Sequence, residues 1–135
     1  MIKGDDKYPL DSAYTVKNYT LVDPKYFPLI VEGMNQSVYG DGGTSHVAQV
    51  PGVNMCGKTG TAQNPHGDDH SVFICFAPKD NPKIAVAAYI ENGGFGATWA
   101  APIASLVVEK YLNGEVQRTE LETRVKNGYL LNKVP

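Results

Sequence analysis

The 135-residue sequence contains no apolar run long enough to cross a membrane, and no signal-peptide pattern opens it. A protein with this sequence that acts outside the cytoplasm would need a targeting segment elsewhere. Excess charge of either sign is lacking, since the net charge is −2 and the basic residues are dispersed, which argues against nucleic-acid binding. Internal repeats and low-complexity tracts are absent. With 42% hydrophobic residues, the composition indicates one soluble globular unit with a modest core.

Cysteine is scarce as well, and a single pair is not a disulfide framework. The pair, Cys56 and Cys75, flanks a predicted hairpin turn near Pro65 and His66. In such a hairpin the two residues would lie about opposite each other, where their Cβ atoms can approach disulfide distance. We favour the simpler interpretation of two small buried apolar side chains, because free cysteine is commonly buried.

Residues 52–61, Gly-Val-Asn-Met-Cys-Gly-Lys-Thr-Gly-Thr, fit two unrelated catalytic patterns. Residues 52–59 match G-x-x-x-x-G-K-T, the loop that cradles phosphates. Residues 58–61 contain K-T-G, one of three active-site motifs of penicillin-binding proteins and class A β-lactamases. A Lys-Ser/Thr-Gly tripeptide is expected by chance in roughly one chain in ten of this length. The surrounding sequence therefore has to decide between the two.

The flanks favour the second pattern. A phosphate-binding loop needs a buried strand before it and a helix directly after its Lys-Thr pair. Residues 47–51 are short and end in proline, and Gly60 and Pro65 would interrupt a following helix. Residues 55–63 are better predicted as a strand, followed by a turn at 64–69 and a second strand at 71–77.

The remaining pattern predicts helices before and after this hairpin. Asp23-Pro24 is typical of a helix start, Pro28 moves the start later, an apolar stripe runs to Tyr39, and residues 40–43 end the helix. Thr44 is expected to cap a short helical turn. A third strand is predicted at 83–90, and helices at 98–112 and 117–126. Both later strands are nearly continuous apolar runs, which predicts a sheet covered on both faces. The fold class is α+β, with three antiparallel strands and flanking helices.

Three other groups of residues are weaker candidates for a site. A metal site could be built from the ligand types in and near the turn, which are His46, His66, Asp68, Asp69 and His70, but a turn rich in Asp, His and Gly is usually only solvated. No metal or cofactor is expected. Trp99 is predicted to anchor the helix that follows it. The tail residues Tyr129, Leu130 and Leu131 are predicted to pack locally.

Beyond the tetrapeptide, longer segments resemble one protein family. Residues 56–63, with 64–67 and Asp69-His70 after them, resemble the third active-site motif and its flanks in class B penicillin-binding proteins. Residues 76–78 and 94–104 are similar to the elongation-type branch, penicillin-binding protein 2. The resemblance covers residues 22–114 and leaves 115–135 as a C-terminal extension. It implies that residues 1–135 are the C-terminal portion of a transpeptidase domain, with a partial β-lactamase/transpeptidase-like fold.

The resemblance also implies a role for each motif residue. In this family the strand forms one wall of the active-site cleft, where Lys58 would supply positive charge beside a proton-shuttling network. Thr59 and Thr61 would hydrogen-bond the carboxylate of a peptide or β-lactam. The backbone N–H of Thr61 would be one of two oxyanion-hole donors, and Gly60 would let the substrate backbone come close. These roles agree with the unpaired N–H groups that an edge strand presents at fixed geometry.

The sequence departs from the family in lacking both serine motifs, S-x-x-K and S-x-N. None of its five serines has lysine at the third following position or asparagine at the second; they are Ser12, Ser37, Ser45, Ser71 and Ser105. The chain by itself is therefore expected to be inactive. We expect it to be the C-terminal piece of a serine-type D,D-transpeptidase anchored in the bacterial inner membrane and acting on its periplasmic side.

The expected partners follow from the same resemblance. They are peptidoglycan stem peptides and β-lactams, bound together with the missing N-terminal part, and cell-wall elongation proteins. Uncovered sheet surface predicts self-association of the isolated piece. Two alternatives remain open at this point, a P-loop nucleotide-binding module and a non-catalytic interaction domain.

Overall fold

The computed structural model describes residue 16 and residues 19–129. Its helices and strands, in chain order, are α1 (Phe27–Tyr39), β1 (Cys56–Ala62), β2 (His70–Ala77), β3 (Ile84–Ile90), α2 (Ala100–Asn113) and α3 (Thr119–Asn127). Two 3-10 turns, Pro24–Tyr26 and His46–Ala48, precede α1 and β1 respectively. The predicted α+β class, with three strands between helices, is confirmed.

The three strands form one antiparallel sheet in the order β1-β2-β3. The first hairpin pairs Thr59 with Phe73 and Thr61 with Ser71, and the second pairs Ser71 with Ile90. Within the described residues, β1 has a neighbouring strand on one side only. It therefore lies at a sheet edge, as the K-T-G-T interpretation requires.

The positions of aspartate, proline and glycine near its ends predict where helix α1 begins and ends. The Asp23 carboxylate accepts a hydrogen bond from the backbone N–H of Lys25 at 3.0 Å, which caps the 3-10 turn. Pro28 lies in the first turn of α1, and Gly40 closes the helix by donating to Gln36 O. The prediction that Thr44 caps the 3-10 turn His46–Ala48 is wrong. The residue before the next turn is Ser45, which makes no side-chain cap bond.

The hydrophobic core lies on one face of the sheet. Alternate residues of β2 point into it, including Phe73, Cys75 and Ala77, and α2 packs over them. The other buried apolar members of this cluster are Val38, Ala48, Val50, Val53, Met55, Ala100, Ala101, Ala104 and Val108. The alanines of α2 let its backbone come close to the strands.

Within the described residues, the opposite face of the sheet is open around Ile74 and Tyr89, whereas Cys56 on β1 is buried there and bonds to Val31 O of α1. Ile74 and Tyr89 are 49% and 55% exposed. The prediction of a sheet covered on both faces is therefore wrong for residues 19–129. Within the described residues, both α1 and α2 contribute to this core, with α1 packing against β1 and α2 against β2 and β3. An apolar run in a strand does not specify which elements will cover it.

The β1–β2 register separates the two cysteines. Cys75 pairs with Gly57, whereas Cys56 pairs with Phe76. Because side chains alternate between faces along a strand, Cys56 and Cys75 point to opposite sides of the sheet. Both are free and buried, so the favoured interpretation of two buried apolar side chains is confirmed and the disulfide alternative is wrong.

Helix α3, predicted near 117–126, is attached to α2 at both ends. Near its start, Arg118 forms an ion pair with Glu109, whose side chain is fully buried in α2, at 2.8 Å. Near its end, the guanidinium of Arg124 lies 6.0 Å from the ring centre of Trp99 and donates to Thr98 O. Trp99, the residue before α2, thus links the start of α2 to α3. Of the tail residues predicted to pack locally, Tyr129 is 77% exposed, so the prediction is wrong for it, and Leu130 and Leu131 lie outside the described residues.

No helix within residues 19–129 has the length and apolar character needed to cross a bilayer.

Candidate active site

The motif residues Lys58, Thr59, Gly60 and Thr61 lie in the middle of β1. No helix begins at Lys58, and the chain continues as a strand to Ala62. A phosphate-binding loop requires a helix N-terminus at this place, so the P-loop alternative is wrong. The four residues are consecutive on the edge strand of the sheet, so their side chains alternate between its two faces.

Lys58 is exposed and remains close to the backbone of the strand. Its Nζ donates to Thr59 O at 2.8 Å and lies 3.4 Å from Thr59 Oγ1. It also lines a cavity of about 370 Å³ together with the end of α1 and the glycine-rich segment 40–44. Lys58 therefore contributes a positive charge to a polar recess between α1 and β1 that the Asp41 carboxylate also lines.

The two threonines of the motif have different surroundings. Thr59 is half-buried, and its hydroxyl lies 3.0 Å from the hydroxyl of Thr44. Thr61 is exposed and lines a second cavity of about 460 Å³. The other lining residues of that cavity are Gly67, Asp68, Asp69, Asn92, Gly93, Gly94 and Phe95. Thr61 thus presents its side chain to a cavity, while Thr59 is already engaged within the chain.

Sequence reasoning missed Thr44 and Phe95 as neighbours of the motif. Thr44 reaches Thr59 from the segment before the 3-10 turn, and nothing local in the sequence indicates this contact. Phe95 is 75% exposed and comes from the connection between β3 and α2. The glycines around it were the available signal, because glycine permits close approach of one backbone to another.

The turn after β1 is fixed by a polar network. Asn64 donates from its backbone N–H to an Asp69 carboxylate oxygen at 3.1 Å and from its side chain to Asn92 Oδ1 at 3.0 Å. His70 Nδ1 accepts from the backbone N–H of Asn92 at 3.0 Å. These contacts join the β1–β2 turn to the loop after β3. Within the described residues there is no group of three or more His, Cys, Asp or Glu side chains arranged to hold a metal ion.

No serine among the described residues is placed as a nucleophile. Ser45, Ser71 and Ser105 are fully buried, and Ser37 is bonded to Ser45, with 2.9 Å between their hydroxyl oxygens. Ser12, the remaining serine, lies outside the described residues.

The cysteine thiols are also unsuited to attack. Burial raises the pKa of Cys56, and it raises that of Cys75 to about 11. Both are therefore protonated at neutral pH, and it is the thiolate that acts as nucleophile. Among the described residues, the candidate site therefore has polar and charged groups and no nucleophile.

Comparison with known proteins gives a consistent result. A family model of the penicillin-binding protein transpeptidase domain matches residues 2–109. The peptidoglycan D,D-transpeptidase PbpA of Mycobacterium tuberculosis is 35% identical over 129 residues, which cover 84% of this chain and 24% of the relative. The peptidoglycan D,D-transpeptidase MrdA of Haemophilus influenzae is 36% identical over 86 residues, covering 64% of this chain and 13% of the relative.

Solved structures of the same family are similar as well. The crystal structure of Pseudomonas aeruginosa PBP2 in complex with WCK 5153 has a TM-score of 0.64 and 37% identity, covering 76% of this chain and 24% of that one. Penicillin-binding protein A from M. tuberculosis, in its penicillin G acyl-enzyme complex, has a TM-score of 0.53 and 36% identity, covering 70% and 22%. The chain spans about a quarter of the length of PbpA. Together with the K-T-G-T edge strand, these matches show that the chain belongs to the penicillin-binding protein transpeptidase family.

Proposed function

We propose that this chain is the C-terminal portion of a peptidoglycan D,D-transpeptidase of the penicillin-binding protein 2 type and forms the K-T-G-T wall of its active site. The observation that carries the proposal is the position of Lys58 to Thr61 on an edge strand between two cavities. Residues 22–114 would form the part shared with the family, and residues 115–135 a C-terminal extension. The serine nucleophile and its lysine would come from a segment outside this chain.

Each motif residue would act on the acyl transfer in its own way. The backbone N–H of Thr61 would donate to the oxyanion of the tetrahedral intermediate, an interaction worth about 3–4 kcal/mol in serine acyl-transferases. The exposed Thr61 hydroxyl would bind the terminal carboxylate of the stem peptide or of a β-lactam. Lys58 would stabilise negative charge on the same ligand. Gly60, which has no side chain, would let the ligand backbone lie along the strand.

Thr59 would have a more limited part than Thr61. Its hydroxyl shares a hydrogen bond with Thr44 and accepts a long one from Lys58. It would therefore contact a ligand carboxylate only by sharing or exchanging these partners. In the proposed function, Thr59 mainly holds the Lys58 ammonium and the segment 40–44 at the entrance of the site.

The proposed setting follows from the family. The intact protein would be held in the bacterial inner membrane, act in the periplasm, and work with cell-wall elongation proteins. Its ligands would be peptidoglycan stem peptides, with β-lactams as covalent inhibitors. Support for β-lactam binding comes from the similar M. tuberculosis protein, whose structure is an acyl-enzyme complex with penicillin G.

Acylation kinetics test the proposal. In the longer protein that carries this chain together with its serine motif, Lys58→Ala and Thr61→Val should each slow acylation by fluorescent penicillin at least about tenfold. Both side chains are exposed, so the variants should unfold at nearly the wild-type temperature. Lys83→Ala removes another exposed lysine, just before β3 on the far side of the sheet, and serves as the matched control with an unchanged rate.

The alternative of a non-catalytic interaction domain predicts a different result in the acylation experiment. A full-length protein that binds cell-wall partners but never forms a penicilloyl adduct would support it. Wild-type acylation rates in both Lys58→Ala and Thr61→Val would instead show that the site is placed wrongly.

A further inference from the structure

We propose that Ser71 is a positioning residue for the oxyanion-hole peptide, and that it acts through the loop at residues 93–98. The proposal rests on the proposed function, because the oxyanion role belongs to the N–H of Thr61. Ser71 lies directly opposite Thr61 in the β1–β2 register. Its side chain is fully buried, so it does not touch a ligand and would act only through its neighbours.

The hydroxyl of Ser71 ties the loop to the sheet at two points. It donates to the carbonyl oxygen of Phe95 at 2.9 Å and accepts from the backbone N–H of Ala100, the first residue of α2, at 3.1 Å. Inside the loop, Thr98 N donates to Phe95 O and Ala101 N donates to Gly96 O, each at 2.9 Å. One buried hydroxyl therefore fixes the loop at its middle and at its junction with α2.

Gly96 is the residue through which the loop contacts β1. A Cβ atom on Gly96 would lie 2.7 Å from the carbonyl oxygen of Gly60 and 3.0 Å from Thr59 Cβ, and it would clash with the carbonyl oxygen of Val72. The loop backbone thus packs directly on the backbone of β1 and β2. No residue with a side chain fits at position 96 unless the loop moves away from the strand.

The carbonyl that Gly96 contacts belongs to the peptide group that carries the Thr61 N–H. A trans peptide is planar, and its C=O and N–H point in opposite directions. The position of the Gly60 oxygen therefore sets the direction of the Thr61 N–H. Catalysis by an oxyanion donor depends on this direction, because the donor is effective only when it is aimed where negative charge develops.

Ser105 provides the matched control. It is also fully buried, and its hydroxyl likewise makes two bonds, donating to Pro102 O at 2.9 Å and accepting from Arg118 at 3.2 Å. Both of its partners lie in α2 or in the segment before α3, away from the loop. Ser71→Ala and Ser105→Ala therefore remove the same atom from equally buried sites, but only the first releases the loop at 93–98.

The kinetic experiment uses full-length transpeptidase. Stopped-flow acylation by fluorescent penicillin separates the limiting acylation rate constant from the dissociation constant of the non-covalent complex. Ser71→Ala should lower the limiting rate constant about tenfold or more while changing the dissociation constant less than about threefold. The reason is that a donor aimed in the wrong direction stabilises the transition state less but hardly changes the binding of the unreacted penicillin. Ser105→Ala should leave both constants within about twofold of wild type, with rates referred to the penicillin-reactive fraction of each sample.

A second measurement uses the 135-residue chain and needs no catalysis. Nuclear Overhauser effects between Gly96 Hα and the Thr59 side chain should be present in the wild type and in Ser105→Ala, and lost in Ser71→Ala. Gly96→Ala, which keeps the Ser71 hydroxyl but forces the loop off the strand, should also slow acylation. It keeps the proposal testable if Ser71→Ala does not fold.

The outcomes separate the two proposals. Wild-type contacts between residues 96 and 59 in Ser71→Ala, or an equal loss of rate in Ser71→Ala and Ser105→Ala, would overturn the positioning role. A folded wild-type protein that is never acylated would overturn the proposed function. The contacts measured in the isolated chain would then still test whether Ser71 holds the loop against β1.

Discussion

Replacing Arg118 tests whether the C-terminal extension is part of the folded unit. Arg118 precedes α3, and its guanidinium donates to the Glu109 carboxylate at 2.8 Å, to Val47 O at 3.3 Å and to the Ser105 hydroxyl at 3.2 Å. Its side chain is 16% exposed and that of Glu109 is 0% exposed. Arg118→Met keeps the length of the apolar stem and removes all three bonds.

The expected loss of stability follows from the burial of Glu109. Removing one partner of a buried ion pair costs about 3–5 kcal/mol, because the other charge is left buried and uncompensated. Here one bond to the carboxylate remains, since the backbone N–H of Gln117 donates to Glu109 Oε1 at 3.0 Å. We therefore expect about 3 kcal/mol, a large part of the roughly 5–15 kcal/mol that stabilises a typical domain.

Urea titration followed by far-ultraviolet circular dichroism measures this loss. The control is Arg124→Met, which removes an exposed guanidinium from α3, together with its contact with the Trp99 ring and its hydrogen bond to Thr98 O, and should cost no more than about 1 kcal/mol. A double-mutant cycle with Glu109→Met should show a coupling energy above about 1 kcal/mol. If Arg118→Met costs no more than Arg124→Met, residues 115–129 are not integrated into the core and the reasoning fails.

Three further predictions concern the isolated 135-residue chain. Incubation with labelled penicillin should give no covalent adduct by intact-mass spectrometry, because no serine is followed by lysine at the third position; a stoichiometric penicilloyl adduct would show that the nucleophile was misplaced. Light scattering should detect association through the open sheet face with Ile74 and Tyr89, and a monodisperse monomer would count against this. The pKa of Cys75 is raised from 9.0 to about 11 by burial, so the folded state holds this proton more tightly, and up to about 2–3 kcal/mol of stability present below pH 9 should be lost between pH 9 and 11. Cys75→Ala should flatten that part of the stability profile, and an unchanged profile would refute the assignment.

Local backbone chemistry in the sequence determined the elements that carry the site. The turn-forming run after Gln63 and the β-branched and aromatic residues that follow it predicted a hairpin, and the structure confirms one. Glycine and proline after Lys58 excluded a helix there, which decided between the two motif interpretations. The helix boundaries near Asp23, Gly40 and Gly114 could be predicted because caps and stops depend on residues adjacent in the chain.

Only the tertiary structure decided what meets across the sheet. A shift of one position in register places Cys56 and Cys75 on opposite faces, and no local signal specifies that shift. The uncovered face around Ile74 depends on where two distant helices pack. The contacts of Thr44 with Thr59 and of Ser71 with Phe95 join residues 15 and 24 positions apart. Such contacts arise from the packing of whole elements, so residue patterns confined to a few neighbouring positions do not encode them.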